Sequence, residues 1–286
     1  MHSAARTAAL TTAAMIGFAA NSLLCRYALR GNAIDAASFT AIRLATGAAV
    51  LVAIVTARER GSATRSPVRR EGTWWSALAL AGYAVAFSYA YLQIGAAVGA
   101  LLLFGAVQLT MIAGGLLRGE RPTVRQWLGW LVALSGLVVI NAPGVDPPPL
   151  GGAILMMVAG IAWGIYSLRG RGITRPLVAT AGNFARSVPV AGLLVAIALA
   201  THAHASLLGI ALAAASGGIA SGLGYSLWYA AVPSLGATRA AVVQLSVPVL
   251  TAIAAVFLLG EPLRTTVVVG GIAIVGGLAL ALKAKP

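Results

Sequence analysis

The chain has 286 residues, of which 59% are hydrophobic and only 9% charged, with a mean hydropathy of +0.91. That balance excludes a water-soluble globular domain, which needs a charged exterior around a single core, and it places the chain in a lipid bilayer. The net charge of +14 does not identify a nucleic-acid partner, because the basic residues collect in alternate loops instead of forming one continuous face.

Ten apolar runs follow one another, each matching the ~20 residues that an α-helix needs to cross ~30 Å of hydrocarbon. The short alternating strands of a β-barrel are missing from the pattern. The first run, 7 to 28, is too long for the core of a signal peptide and contains Asn21 and Arg26, so it reads as a retained span. It also carries the single cysteine, Cys25, so no intramolecular disulfide can form. The second, 35 to 57, puts Arg43 eight residues, or ~12 Å, along a helix from Asp35. A cation at that depth is costly and needs a partner, which could be a substrate carboxylate, helix-end carbonyls or lipid headgroups. The third, 74 to 92, opens on Trp74 and Trp75 and carries Tyr83 and Phe87 on one stripe. The fourth, 97 to 117, aligns Ala100, Phe104, Gln108 and Met111, and the fifth, 124 to 141, opens on Trp127 and Trp130. The indoles that open helices belong to an interfacial belt.

The sixth run, 150 to 168, aligns Met156, Gly160, Trp163 and Ser167, and the seventh, 177 to 199, carries Arg186, to which the same choice of partners applies as to Arg43. The eighth, 208 to 230, aligns Gly218, Ser221, Gly222 and Tyr225, with Trp228 and Tyr229 near its end, where they fit either the belt or a pocket. The ninth, 239 to 259, holds Gln244 and has Pro248 in its middle, where a proline kinks a helix and makes a hinge. The tenth runs from 265 to 282. In lipid, amide and phenol groups need partners, so the mixed stripes should turn inward, toward other helices or a cavity.

An N-terminus in the cytoplasm puts Arg58, Arg60, Arg65, Arg69, Arg70, Arg118, Arg121, Arg125, Arg169, Arg171, Arg175, Arg239, Lys283 and Lys285 on the same side as itself. The opposite loops hold Asp146, His202, His204 and few bases, chiefly Arg30 and Arg264. The positive-inside rule therefore predicts a multi-pass inner-membrane protein with both termini cytoplasmic. No carboxylate or histidine lies well inside a span, so a buried proton relay is not expected. No metal-ligand cluster, phosphate loop or nucleophile elbow is present either, which points away from an enzyme, a cofactor or a metal.

The chain also repeats itself. An offset of 143 aligns Gly17 with Gly160, Arg26 with Arg169, and Arg43 with Arg186. After a loop difference of two residues, an offset of 141 aligns Gly95-Ala96 with Gly236-Ala237, Gly119-Glu120 with Gly260-Glu261, and Gly129 with Gly270. Five helices per copy make the second copy enter the membrane from the other side, so the expected fold is all-α, with ten transmembrane helices as two inverted five-helix repeats. Within one membrane domain, 1–286, the repeats cover 7–141 and 150–282. Glu120 and Glu261, each followed by a proline, are expected to cap the helix that comes next.

Ten spans in two halves, a Gly-Glu pair closing the fourth and ninth, and arginines early in the second and seventh together resemble the drug/metabolite transporter superfamily, EamA type, and its aromatic amino acid exporter branch most of all. Many relatives carry Trp-Gly in the first helix, where this chain has Ala20-Asn21, although the sixth has Trp163-Gly164. The resemblance implies an exporter of aromatic and other neutral amino acids and related metabolites; the inverted halves point to alternating access, and the lack of a carboxylate inside a span to facilitated diffusion. Its partners would be a small-molecule substrate and membrane lipids, without nucleic acid; the oligomeric state stays open, a monomer being compatible with the pattern. The expected pocket is lined by Asn21, Tyr83, Phe87, Phe104, Gln108, Trp163, Tyr225 and Gln244, with Pro248 as hinge. A drug or nucleotide-sugar carrier and a lipid scramblase are the alternatives.

Overall fold

The computed structural model describes residues 4–59, 68, 71–117, 119, 122–141, 148–170, 173–201 and 203–282. Arg60, Arg65, Arg69, Arg70, Arg118, Glu120, Arg121, Asp146, Arg171, His202, Lys283 and Lys285 lie outside them, as does the Arg239 side chain. Every regular element among the described residues is helical: α1 (Ala4–Arg30), α2 (Ala36–Arg58), α3 (Trp74–Tyr91), α4 (Ala96–Leu117), α5 (Val124–Asn141), α6 (Leu150–Gly170) and α7 (Pro176–Ala200). Then come α8 (Leu207–Ala215), a π-helical segment (Ser216–Leu223), α9 (Gly224–Gln244), α10 (Ser246–Leu259) and α11 (Thr265–Leu282). Among the described residues, six helical stretches are long and apolar enough to cross a membrane. The architecture is that of a polytopic membrane protein.

Local chemistry sets the helix ends. Asp35 accepts the backbone N–H of Ser38 at 2.8 Å to open α2, and the Ser206 hydroxyl accepts that of Gly209 at 3.1 Å to open α8. Thr123 and Gln126 form a capping box at the start of α5, the amide oxygen taking the Thr123 N–H at 2.7 Å. Gly260 ends α10 in the left-handed region (φ 61°), where a side chain would be strained.

Three expectations are corrected here. The connection expected between 230 and 239 is helical, so residues 239–244 finish α9 and only 246–259 form α10. Pro248 accordingly stands in the first turn of α10, not in mid-helix. Its ring crowds the carbonyl of Gln244, four residues back, and this moves the break to Leu245, just ahead of the proline. The third concerns the Gly-Glu pairs. Helix α5 is capped by Thr123, and Glu261 precedes α11 by four residues and caps α4 instead, accepting the Ala96 N–H at 2.7 Å.

Helix α2 packs along α7, α3 and α4 pack against α6, and α1 packs against α9, α10 and the π segment. One continuous core, including Phe39, Phe87, Tyr91 and Met156, fills the space between α1, α2, α3, α4, α6 and α7. Helix α5 lies along α11 through glycines. A Cβ added to Gly129 or Gly136 would stand 2.5 Å from the carbonyl oxygen of Gly277 or Gly270, respectively. The outer surface is apolar, with Leu117, Leu199, Leu207 and Phe257 all exposed, and Trp74, Trp75 and Trp127 also point outward.

Candidate functional site

A cavity of about 270 Å³ opens between α1, α3, α4, α6, α7, the π segment and α9. Seven of the eight expected lining residues meet there: Asn21, Tyr83, Phe87, Phe104, Trp163, Tyr225 and Gln244. Gln108 is buried on α4 outside the wall, and Pro248 does not reach it.

The aromatic stripes predicted from helical spacing converge as one surface. The Trp163 ring lies 4.9 Å from Tyr83, 5.2 Å from Tyr166 and 5.6 Å from Tyr225, with Tyr83 in turn 5.3 Å from Phe87. Tyr225 stacks on Tyr229 at 6.1 Å and meets Phe18 at 5.6 Å. Trp228 and Tyr229, assignable from sequence to either belt or pocket, both line the cavity.

Two polar networks support this wall. In the first, the Tyr83 hydroxyl oxygen accepts from Arg43 Nη2 at 2.9 Å and from Asn21 Nδ2 at 3.2 Å. The Ser216 hydroxyl donates to Asn21 Oδ1 at 2.6 Å and fixes the amide from behind. The π segment supplies that serine. It runs tightly over α2, where a Cβ on Gly217 would collide with the Arg43 carbonyl and the Thr46 hydroxyl, while Ala220 and Ser221 reach the cavity. In the second network, the Tyr166 hydroxyl donates to Thr180 Oγ1 at 3.3 Å and Thr180 donates to the Tyr229 oxygen at 3.2 Å. Asn183 Nδ2 also donates to Tyr166 at 3.3 Å. Sequence reading passed over this second network, although Thr180, Asn183 and Ser187 form a polar stripe at helical spacing in an apolar helix.

The two central arginines differ. Arg186 donates to the backbone carbonyls of Glu71, in the connection ahead of α3, and of Gly182, one turn back within α7. Arg43 is 3% exposed, with its guanidinium 4.8 Å above the Phe87 ring and 5.1 Å above that of Tyr83.

The cavity reaches Gly170, Ile173 and Pro176 at the junction of α6 and α7. At the other end the helix connections are tied together. Arg26 Nε pairs with Glu261 Oε1 at 3.0 Å, Arg26 Nη1 donates to the Tyr91 carbonyl at 2.8 Å, and Arg30 donates to the Leu259 carbonyl at 2.7 Å. Gly95 leaves room for the Glu261 carboxylate, whose Oε2 would lie 2.8 Å from an added Cβ. Ile34 and Ala205 form an antiparallel bridge beside Asp35, which takes the His204 N–H at 3.2 Å. Partial burial by itself would raise the Asp35 carboxyl, but the Ser38 hydrogen bonds, the His204 N–H and the His204 charge outweigh it and hold it below the usual carboxylate range.

Comparison with known proteins bears on what this site serves. The profile of the EamA-like transporter family matches the chain twice, over residues 6–142 and 150–283. An uncharacterized protein of Pseudomonas aeruginosa is 52% identical over 98% of this chain and 96% of its own length. An uncharacterized transporter of Archaeoglobus fulgidus is 27% identical over 76% of this chain and 79% of its own. A solved crystal structure superposes over 98% of both chains with a TM-score of 0.67 at 21% identity, which is a likeness of fold.

Proposed function

The chain belongs to the EamA-like transporter family of the drug/metabolite transporter superfamily, and from that premise we propose that it exports neutral amino acids, aromatic ones included, and related small metabolites across the inner membrane. The observation that carries the substrate class is the cavity wall. Four rings in contact, Tyr83, Trp163, Tyr225 and Tyr229, share the lining with the amides Asn21 and Gln244, which suits a partly apolar zwitterion. At about 270 Å³ the space falls just below the ~300 to 1,000 Å³ of drug-sized sites and is small for a nucleotide sugar. Among the described residues the wall holds no lysine or arginine to meet phosphates. It holds no carboxylate or histidine either, and this favours facilitated diffusion over proton exchange.

The proposed mechanism is alternating access of two inverted five-helix halves, 7–141 and 150–282. The double family match supports it, and so do the packing pairs. Helices α2 with α7 and α5 with α11 are counterparts of each other, and α4 on α6 corresponds to α10 on α1. At the offset of 141, Gly129 against Gly277 becomes Gly270 against Gly136, and both contacts occur. The positive-inside rule makes the end at α6 and α7 cytoplasmic, so this conformation faces the cytoplasm with its periplasmic end closed by Arg26 and Glu261.

The test uses the indoles of Trp163 and Trp228, both in the wall. Titrating aromatic, aliphatic and hydroxyl amino acids into the purified protein should give a saturable fluorescence change for at least the aromatic and larger aliphatic ones. A flat response across the panel would remove the amino-acid reading.

A further inference from the structure

We infer that Tyr83, charged from behind by Arg43, is the group in the cavity that recognises an oxygen anion, so that the substrate presents a carboxylate or a similar singly charged group to its hydroxyl. This rests on the reading of the cavity as the substrate site.

The first observation is an uncompensated charge. Arg43 lies 3% exposed on α2, and its Nη1 is buried without a hydrogen-bond partner. The described acids are all committed elsewhere: Asp35 to Ser38 and His204, Glu59 and Glu71 to Arg175, and Glu261 to Arg26. Among the described residues, the charged end of Arg43 meets two π faces and one phenol oxygen. Arg186, at the matching position of the second half, is by contrast bound to backbone carbonyls. A permanent cation enclosed in this way favours any anion that can approach it.

The second observation shows where that approach occurs. A phenol oxygen has one proton to give and can accept two hydrogen bonds. Both acceptor directions of Tyr83 are taken, by Arg43 Nη2 at 2.9 Å and Asn21 Nδ2 at 3.2 Å. Its own proton is therefore left for the third direction, and Tyr83 lines the cavity. The hydroxyl proton thus has no acceptor among the described residues and is the hydrogen-bonding direction left for a ligand, polarised by the guanidinium beside it. The substrate's ammonium group would meet the remaining aromatic surface of the wall, where rings attract cations and where no lysine or arginine lines the cavity among the described residues.

Tyr83→Phe removes only the hydroxyl and keeps the ring that packs on Phe87 and Trp163. In proteoliposomes, release of a labelled neutral amino acid is compared with release of its primary amide, which keeps side chain and amine but lacks the carboxylate; leakage from empty liposomes is subtracted. The wild type should prefer the acid. Tyr83→Phe should reduce the acid-to-amide ratio about tenfold or more, the size of one charge-assisted hydrogen bond. Both rates are read from one preparation, so the ratio is not moved by folded yield or by general loss of stability. Arg43→Lys, which keeps charge without the planar fork, should fall between the two. An unchanged ratio in Tyr83→Phe overturns the inference, because the carboxylate is then read elsewhere. Equal rates for acid and amide in the wild type overturn it too, but leave the carrier reading standing. Release of neither compound removes that reading and the inference together.

Discussion

Replacing Glu261 by glutamine should open the end of the protein where Arg26 and Glu261 tie the helix connections together. The carboxylate binds Arg26 Nε at 3.0 Å through one oxygen and the Ala96 N–H at 2.7 Å through the other, so it joins α1, the start of α4 and the end of α10. The pair is largely enclosed, with side-chain exposures of 15% and 12%. Glutamine keeps one acceptor oxygen and loses the charge, so one charge-assisted hydrogen bond disappears and the other weakens. A hydrogen bond to a charged group contributes about 1.5 to 3 kcal/mol. A loss of about 2 kcal/mol shifts the closed-to-open ratio roughly 30-fold. Cys25 is the only cysteine, so a Cys25→Ser background gives a clean label site, and Ser22→Cys places one thiol in the cavity wall. A membrane-impermeant maleimide applied from the side of the Arg26–Glu261 pair should label Ser22→Cys about 20- to 30-fold faster when Glu261→Gln is added. Labelling that stays equally slow from that side, in a variant that remains folded, would refute the role of this pair as a closure.

Gly95→Ala should act in the same direction, because the new methyl would press on the Glu261 carboxylate at 2.8 Å; the same labelling assay reads it. Trp163→Ala removes contacts with Tyr83, Tyr166 and Tyr225, each such pair being worth about 0.5 to 1.5 kcal/mol, and should lower efflux of aromatic amino acids about tenfold or more while affecting small ones less. Asp35 is held below the ordinary carboxylate range, so its contribution to stability is complete above the unfolded value of about 3.9 and is lost as pH falls through its folded value. Thermal melts should therefore show an acid-side loss of stability that is smaller in Asp35→Asn, which can still cap α2; equal losses in both would contradict this.

Much of this arrangement was readable in the chain because lipid makes polar residues informative. Tyr83, Trp163 and Tyr225 lie on different helices, yet each sits on a stripe too polar or too small for lipid, and the three rings stand within contact of one another. Gln108 follows the same spacing rule but is buried away from the wall, since periodicity identifies an inward face without saying which neighbour it meets. The Gly-Glu pair taught a similar lesson. Its glycine ends α10 as sequence suggests, but Glu261 reaches across to α4 and Arg26, a contact between residues 235 apart that no local pattern encodes. Pro248 does interrupt the rod, one turn earlier than its position implies, because a proline ring acts on the carbonyl four residues before it. The polar stripe of α7 was overlooked because threonine, asparagine and serine carry no charge to attract notice.

Flux is the most direct test of the central claim. Proteoliposomes loaded with labelled aromatic, aliphatic and hydroxyl amino acids, alongside a labelled lipid, should release amino acids faster than protein-free liposomes, with or without a pH gradient, and should leave the lipid in its leaflet. Release no faster than from protein-free liposomes for every amino acid, or lipid movement in its place, would contradict the account.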